Sequence, residues 1–195
     1  GKVCEPLDWM VQKMFPRIFK NFWEAPGVNS FQINRTCCFT GHRASKLPWG
    51  GDESDVRCVK LKQELYEIVT LLYREGIRWY VCGMALGCDT YFAEAVLRAR
   101  TECKGIKLEA AIPCLGQSAR WNDVQRARYE HLVANCDSKT VISPQYTFEC
   151  MEKRNRYMVE KSGTLVAVTN GGSGGTLNTV NYAKKLGRRI IEVRI

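Results

Sequence analysis

Glycine and arginine residues occur in short loops that directly follow apolar runs, a placement that suits the binding of an anion. The first loop presents Thr40, Gly41, His42 and Arg43 where the run "TCCFT" ends. An arginine fork matches phosphate oxygens, and a glycine lets the backbone approach a ligand closely. Because the histidine and the arginine lie together at this end, we expect the loop to contact a ligand rather than to be an ordinary surface turn.

A second loop, "CGMALGCD", presents Gly83, Met84, Gly87 and Asp89. The glycines permit a tight turn into a helix whose free N–H groups attract an anion. Two interpretations of Asp89 stay open, because its carboxylate either caps the helix or binds a ribose hydroxyl or orients a base. Glu94, further along the same helix, is a second candidate acid or base, although that position is more typical of a solvated residue.

A third loop, "PCLGQSARW", contributes Gln117 and Trp121. The indole of Trp121 could stack on a nucleotide base or pack against the domain, and the sequence favours neither.

The fourth loop, "TNGGSGGT", is the strongest local signal and contains Gly172, Gly174, Gly175 and Thr176. Several glycines between a strand and a helix can wrap a phosphate with backbone amides. The loop lacks the lysine of a P-loop, which argues against that class of nucleoside triphosphatase.

Arg154 lies in a predicted helix between Met151 and Met158, on the same side as these apolar neighbours. A charged group there is costly unless it has a partner. A ligand phosphate or a site carboxylate would provide one, and Asn155 shares that edge of the helix.

The elements that must position these loops alternate along the chain. The apolar runs predict strands at 36–40, 79–82, 107–112, 139–143, 164–169 and 189–194, with amphipathic helical segments between them. This alternation predicts a doubly wound α/β fold, a Rossmann-like three-layer α/β/α sandwich with a mostly parallel sheet. Ligands of such sheets bind outside the carboxyl ends of the strands, so the four loops are expected to lie together.

Bulk properties restrict the class of protein. The net charge of +9 favours acidic partners such as nucleotides, nucleic acid or an anionic membrane. With no signal peptide and no apolar run of about eighteen residues, we expect a cytoplasmic protein without a transmembrane segment. The ten cysteines show no C-x-x-C zinc spacing, so buried free thiols are expected and no metal site.

Residues 1–34 fall outside the alternation and form an apolar and basic extension with a linker, whereas 35–195 form the domain. Met10, Met14, Ile18 and Phe22 make one apolar row, and a second row runs through Phe19. Such a segment is expected to dock on its own domain or on a second copy, rather than on a membrane surface.

Taken together, "FTGHR", "GMALGCD", "AAIPC", "CMEKRNRYMV" and "GGTLNT" resemble, in this order, the YpsA-like family of the SLOG superfamily. The resemblance covers about residues 35–195, although Ala44 stands where the family usually has proline. The superfamily includes the DprA proteins, which load recombinase onto single-stranded DNA, and the LOG phosphoribohydrolases. The catalytic glutamate of the LOG motif falls on Thr179 here.

The resemblance implies a pocket for a nucleotide or an ADP-ribose-like molecule, in a binding module or sensor of regulatory function, from a bacterium or a phage. No other cofactor is expected. The missing glutamate argues against catalysis. A nucleotide N-glycosidic-bond hydrolase using Asp89 or Glu94 and a DprA-like binder of single-stranded nucleic acid are the alternatives. A protein partner and a homo-oligomer stay open.

Overall fold

A sheet of six parallel strands organises residues 30–195, the part of the chain that the computed structural model describes. The strands run in the order β4-β3-β2-β1-β5-β6. They are β1 (Thr36–Gly41), β2 (Trp79–Cys82), β3 (Lys107–Cys114), β4 (Ser138–Ser143), β5 (Thr164–Thr169) and β6 (Arg189–Arg194). The predicted α/β fold is confirmed, with a sheet that is wholly parallel rather than mostly parallel.

Six helices connect and cover the strands: α1 (Ser30–Asn34), α2 (Val56–Arg74), α3 (Cys88–Arg100), α4 (Asp123–Ala134), α5 (Cys150–Glu160) and α6 (Gly175–Lys185). Their ends carry recognisable signals. Asn122 and Gln125 form a capping box before α4. Gly187 follows α6 with φ of 65°, and the Arg188 N–H donates to the Ala183 carbonyl, as in a glycine C-cap.

The alternation of side chains along β1 divides the core into two layers. Cys37 and Phe39 pack with the apolar residues of α2 and α3, and the Phe39 ring stacks on Phe92 at 4.4 Å. Cys38 belongs to the opposite layer, with Met158 of α5 and Val180 of α6. Both faces of the inner strands are therefore covered, which explains why β1, β2, β3 and β5 are almost entirely buried.

The cysteines within residues 30–195 are all free thiols, as the sequence predicts. Most are buried, and they occur in both layers of the core. Burial raises the pKa of the Cys88 thiol to about 12 and also raises the pKa of Cys114. The thiols that adjoin the site loops are consequently poor nucleophiles.

The strand order creates a switch point beside β1. The chain proceeds from β1 through β2, β3 and β4 on one side, and it then returns to place β5 on the other side of β1. A crevice forms at the carboxyl ends of two such neighbouring strands. All four loops predicted from the sequence leave the sheet at this same edge.

Predictions for residues 1–29 lie outside the described residues. Residues 30–34, which the sequence places in the linker, form α1, and the Ile33 carbonyl accepts a hydrogen bond of 2.8 Å from the Gly163 N–H. None of the helices in the described part combines the length and apolar character needed to cross a bilayer.

A glycine substitution tests how closely the loops after β1 and β2 approach each other. Gly87 has φ of 97°, and a Cβ there would lie 2.5 Å from the Ala44 nitrogen. Gly105 has φ of 84° but open space around it. We expect Gly105→Ala to cost about 1–2 kcal/mol of unfolding free energy through left-handed strain alone, and Gly87→Ala to cost more. Urea denaturation would measure both, and equal losses would contradict the close approach.

Candidate anion-binding site

A cavity of about 210 Å³ opens at the carboxyl ends of β1 and β5, at the switch point. Four segments line it: the end of β1 with the loop that follows, the loop after β2 with the first turn of α3, one side of α5, and the glycine loop with the first turn of α6. Of the residues predicted from the sequence, the cavity brings together Thr40, Gly41, His42, Arg43, Asp89, Arg154, Asn155, Gly174, Gly175 and Thr176.

Arg154 is the most unusual group of the cavity. It is only 7% exposed, and its Nε and Nη1 atoms have no hydrogen-bond partner among the described residues. Its guanidinium lies against Gly83, where a Cβ would come within 1.3 Å of Nη1. Leaving charged donors unpaired in a buried site is costly, so this geometry is typical of an arginine whose partner is a ligand.

Asp89 is the buried counterion of Arg154, although the two do not form a hydrogen bond. Arg154 Nη1 and Asp89 Oδ2 are 3.7 Å apart, and Oδ2 accepts a hydrogen bond of 3.2 Å from the Ala85 N–H. Burial raises the pKa of Asp89, while the charge of Arg154 and the Ala85 hydrogen bond act in the opposite direction. The carboxylate therefore ties down the loop before α3, rather than capping a free amide of the helix itself.

The loop after β2 has a strained backbone at Met84, and the side chain of Gln117 supports it. Met84 has a φ of 54°, an uncommon value for a residue with a side chain. Gln117 Nε2 donates hydrogen bonds of 3.1 Å to the Gly83 carbonyl and 3.0 Å to the Met84 carbonyl. Gln117 thus supports the loop without lining the cavity. Gly83 and Gly87 likewise shape the loop, and the cavity lining begins at Ala85.

His42 connects the loop after β1 to the glycine loop after β5. Its Nε2 atom lies 2.8 Å from Asn170 Oδ1 and 3.2 Å from the Asn170 nitrogen. Asn170 Oδ1 also accepts a hydrogen bond of 3.0 Å from the Gly172 N–H, so Gly172 turns the loop without lining the cavity. Sequence reasoning missed Asn170, whose position between a strand and a run of glycines is the available signal.

The glycine loop ends at the amino terminus of α6. Gly174 precedes the helix with φ of 130°, and no side chain caps the first turn. Lys46 Nζ lies 3.2 Å from the position that a Gly174 Cβ would take. The lysine therefore places a positive charge beside the uncapped first turn of α6, where backbone N–H groups also attract an anion. Sequence reasoning also missed Lys46, although it follows Arg43 by one short turn.

Two residues predicted from the sequence lie away from the cavity. The Trp121 ring packs edge-on against Tyr129 with centroids 5.3 Å apart. Glu94 forms an ion pair with Arg128, with 2.7 Å between Arg128 Nε and Glu94 Oε1. Trp121 therefore has a packing role in the structure, and Glu94 has an ion-pairing role.

Thr179, at the LOG glutamate position, is buried, and its hydroxyl donates a hydrogen bond of 2.7 Å to the Gly175 carbonyl.

The raised pKa of Asp89 gives a testable pH dependence. Its folded-state pKa exceeds its unfolded-state pKa, so its stabilising contribution is present below about pH 4 and is lost as the pH rises through the folded value. We expect the unfolding free energy of the wild type relative to Asp89→Asn to fall as the pH rises above about 4. Denaturation at several pH values would measure it. Asp123→Asn, at a 97% exposed side chain, is the control, and a constant difference for Asp89 would contradict the expectation.

The comparisons with known proteins agree with this architecture. The family model described as the YspA SLOG family matches residues 37–187. A UPF0398 protein of Bacillus cereus (strain G9842) is 28% identical over 153 residues, 76% of this chain and 82% of the relative. A UPF0398 protein of Bacillus pumilus (strain SAFR-032) is 28% identical over 110 residues, 55% of this chain and 59% of the relative.

Among solved structures, DNA processing protein A from Helicobacter pylori, described for its mode of binding single-stranded DNA, is similar with a TM-score of 0.55. The match covers 90% of this chain and 76% of that chain at 16% sequence identity, a level that shows a shared fold. The resemblance noted in the sequence motifs is confirmed by the family match, which spans β1 to the end of α6. This chain belongs to the YspA SLOG family.

Proposed function

We propose that this chain binds a nucleotide or a nucleotide-derived ligand, such as an ADP-ribose-like molecule, and acts as a regulatory binding module. The observation that carries the proposal is Arg154, a buried guanidinium at the switch point, with two nitrogen atoms that form no hydrogen bond to any of residues 30–195. A phosphate oxygen on these atoms would supply the missing acceptors.

The charges around the cavity support an anionic ligand. Arg43, Lys46 and Arg154 line it, whereas Asp89 is the one acidic side chain in the described lining. The uncapped amino terminus of α6 adds its free N–H groups on the same side. The arrangement provides more positive than negative charge, as a phosphorylated ligand requires.

Single-stranded nucleic acid is a second candidate ligand. The similar structure of DNA processing protein A was described for binding single-stranded DNA, and the chain has a net charge of +9. The phosphates of such a strand would use the same cations. A mononucleotide is favoured because Arg154 is buried in the cavity, whereas strand-binding surfaces are usually open grooves.

Hydrolysis of a nucleotide N-glycosidic bond is less well supported. Thr179 replaces the glutamate of the LOG motif, and its hydroxyl is occupied within α6. Glu94 is paired with Arg128, which leaves Asp89 as the available carboxylate. We expect no release of free base from AMP or cytokinin nucleotides. Chromatography of the incubated mixture would check this, and turnover that disappears in Asp89→Asn would establish an enzyme.

Removing the cations should weaken ligand binding. We expect Arg154→Ala to reduce affinity for AMP or ADP-ribose by about 1.5–3 kcal/mol, the range for hydrogen bonds to charged groups. Arg43→Ala, at an exposed position, should weaken binding while leaving the core intact. Isothermal titration calorimetry would measure both, with single-stranded DNA as a parallel titrant.

The matched control lies on the same helix. Arg156 is exposed and pairs with Glu152, so Arg156→Ala should leave affinity unchanged. Since Arg154→Ala also leaves Asp89 without its counterion, Arg154→Lys provides a variant that retains the charge but loses the fork. Unchanged affinity in both the Arg154 and Arg43 variants would show that the ligand does not bind here.

Gly83 provides a second test that leaves the arginine in place. A Cβ at Gly83 would lie 1.3 Å from Arg154 Nη1 and 2.8 Å from Asp89 Oδ2. We expect Gly83→Ala to displace the guanidinium and to lower affinity about tenfold or more, because the end of the side chain can move while the fold survives. Gly116→Ala, where no atom lies within 4 Å, is the control. Equal affinities of the two variants in calorimetry would contradict the assigned position of Arg154.

A further inference from the structure

Asp89 has one carboxylate oxygen that the described residues leave without a hydrogen-bond donor. Within the described residues, the polar contacts of this carboxylate, with the Ala85 N–H and with Arg154, involve Oδ2. A carboxylate can accept about four hydrogen bonds. Asp89 is 6% exposed and lines the cavity, so a group of a bound ligand can reach the carboxylate.

A role of Asp89 as the counterion of Arg154 does not by itself explain how the two side chains are placed. An arginine and a carboxylate that exist to pair with each other usually form two parallel hydrogen bonds of about 2.7–2.9 Å. Here the closest approach is 3.7 Å, and Arg154 Nε and Nη1 form no hydrogen bond within the described part of the chain. Both side chains are therefore held close together with hydrogen-bonding capacity unused, the arginine as a donor and the aspartate as an acceptor.

A single ligand can satisfy both groups only if it presents an acceptor and a donor close together. A phosphate accepts hydrogen bonds from Arg154, but it cannot also lie on Asp89, because two anions repel each other. The part of the ligand that meets Asp89 must be an uncharged or cationic donor. In a nucleoside 5′-phosphate, the sugar adjoins the phosphate and carries hydroxyl donors, whereas the amino groups of the base lie beyond the sugar.

We infer that Asp89 accepts hydrogen bonds from sugar hydroxyls of the ligand, so that the site selects ribose 5′-phosphate compounds over their deoxy analogues. This inference rests on the proposed function and specifies its ligand. Arg154 holds the phosphate, Asp89 binds the sugar beside it, and Ala85 N–H fixes the orientation of the carboxylate. A deoxy analogue should bind more weakly, because the bound ligand would shield the Asp89 carboxylate from water without donating a hydrogen bond to it.

The test compares three ligands on the unmodified protein: AMP, 2′-deoxy-AMP and 2′,3′-dideoxy-AMP. Calorimetry under identical conditions gives the affinity for each compound. We expect binding to weaken in that order, with a total loss of about tenfold to a hundredfold. Equal affinities for the three compounds would overturn the inference, and this comparison requires no variant to fold.

Variants assign the selectivity to Asp89. In Asp89→Ala, the affinity for AMP should fall toward that for 2′,3′-dideoxy-AMP, so that the three values converge. Glu94→Gln, on the same helix but paired with Arg128 away from the cavity, should retain the full selectivity. Selectivity that persists in Asp89→Ala would show that another group binds the sugar.

The outcomes separate this inference from the proposal on which it depends. If all three compounds bind equally and Arg154→Lys weakens them all, the anion site stands and the role of Asp89 is wrong. If neither these three compounds nor ADP-ribose binds, both proposals are overturned. A single-stranded DNA oligonucleotide that binds tightly where AMP does not would assign the site to nucleic acid and would also overturn the selection for ribose.

Discussion

Arg154 and Asp89 are buried together at the carboxyl edge of the sheet, and only a glycine at position 83 leaves room for them. Burying two charges is favourable only when each is well compensated, and here the compensation is incomplete. The loop after β2 must therefore be held firmly, which Gln117 does through two carbonyl groups. The chain maintains a costly arrangement, as functional sites commonly do.

The remaining parts of the cavity are attached to this pair through the loops. Gly87 lies so close to the loop after β1 that the Cys88 N–H donates to the His42 carbonyl at 3.1 Å. His42 in turn contacts Asn170, at the start of the glycine loop. A continuous series of contacts thus connects three loops that are distant in sequence, and it is independent of any ligand. Such preorganisation lowers the cost of ordering the site when a ligand binds.

Much of this arrangement could be predicted from the sequence, for reasons that differ between elements. The positions of β1, β2, β3 and β5 were accurate because these strands are buried on both faces, which requires apolar runs. The edge strands β4 and β6 are less buried, but each still contains a short apolar run. Arg154 was found because a charge among methionines requires a partner. Lys46 and Asn170 were missed because each depends on a contact across more than one hundred residues, such as the one between His42 and Asn170. Trp121 does not reach the cavity, because its loop leaves β3, which is two strands away from β1 in the sheet. Its ring packs against Tyr129 instead.

The distribution of buried thiols has a practical consequence for studying the dynamics of the domain. Cys37 and Cys38 are neighbours in the sequence but face opposite layers of the core, and Cys150 is buried at the start of the helix that carries Arg154. A thiol reagent can modify such groups only when the structure around them opens. The rates of labelling at individual cysteines would therefore report which layer opens first, without any introduced probe. The same measurement with and without a nucleotide would map how far the ordering effect of the ligand spreads through the sheet.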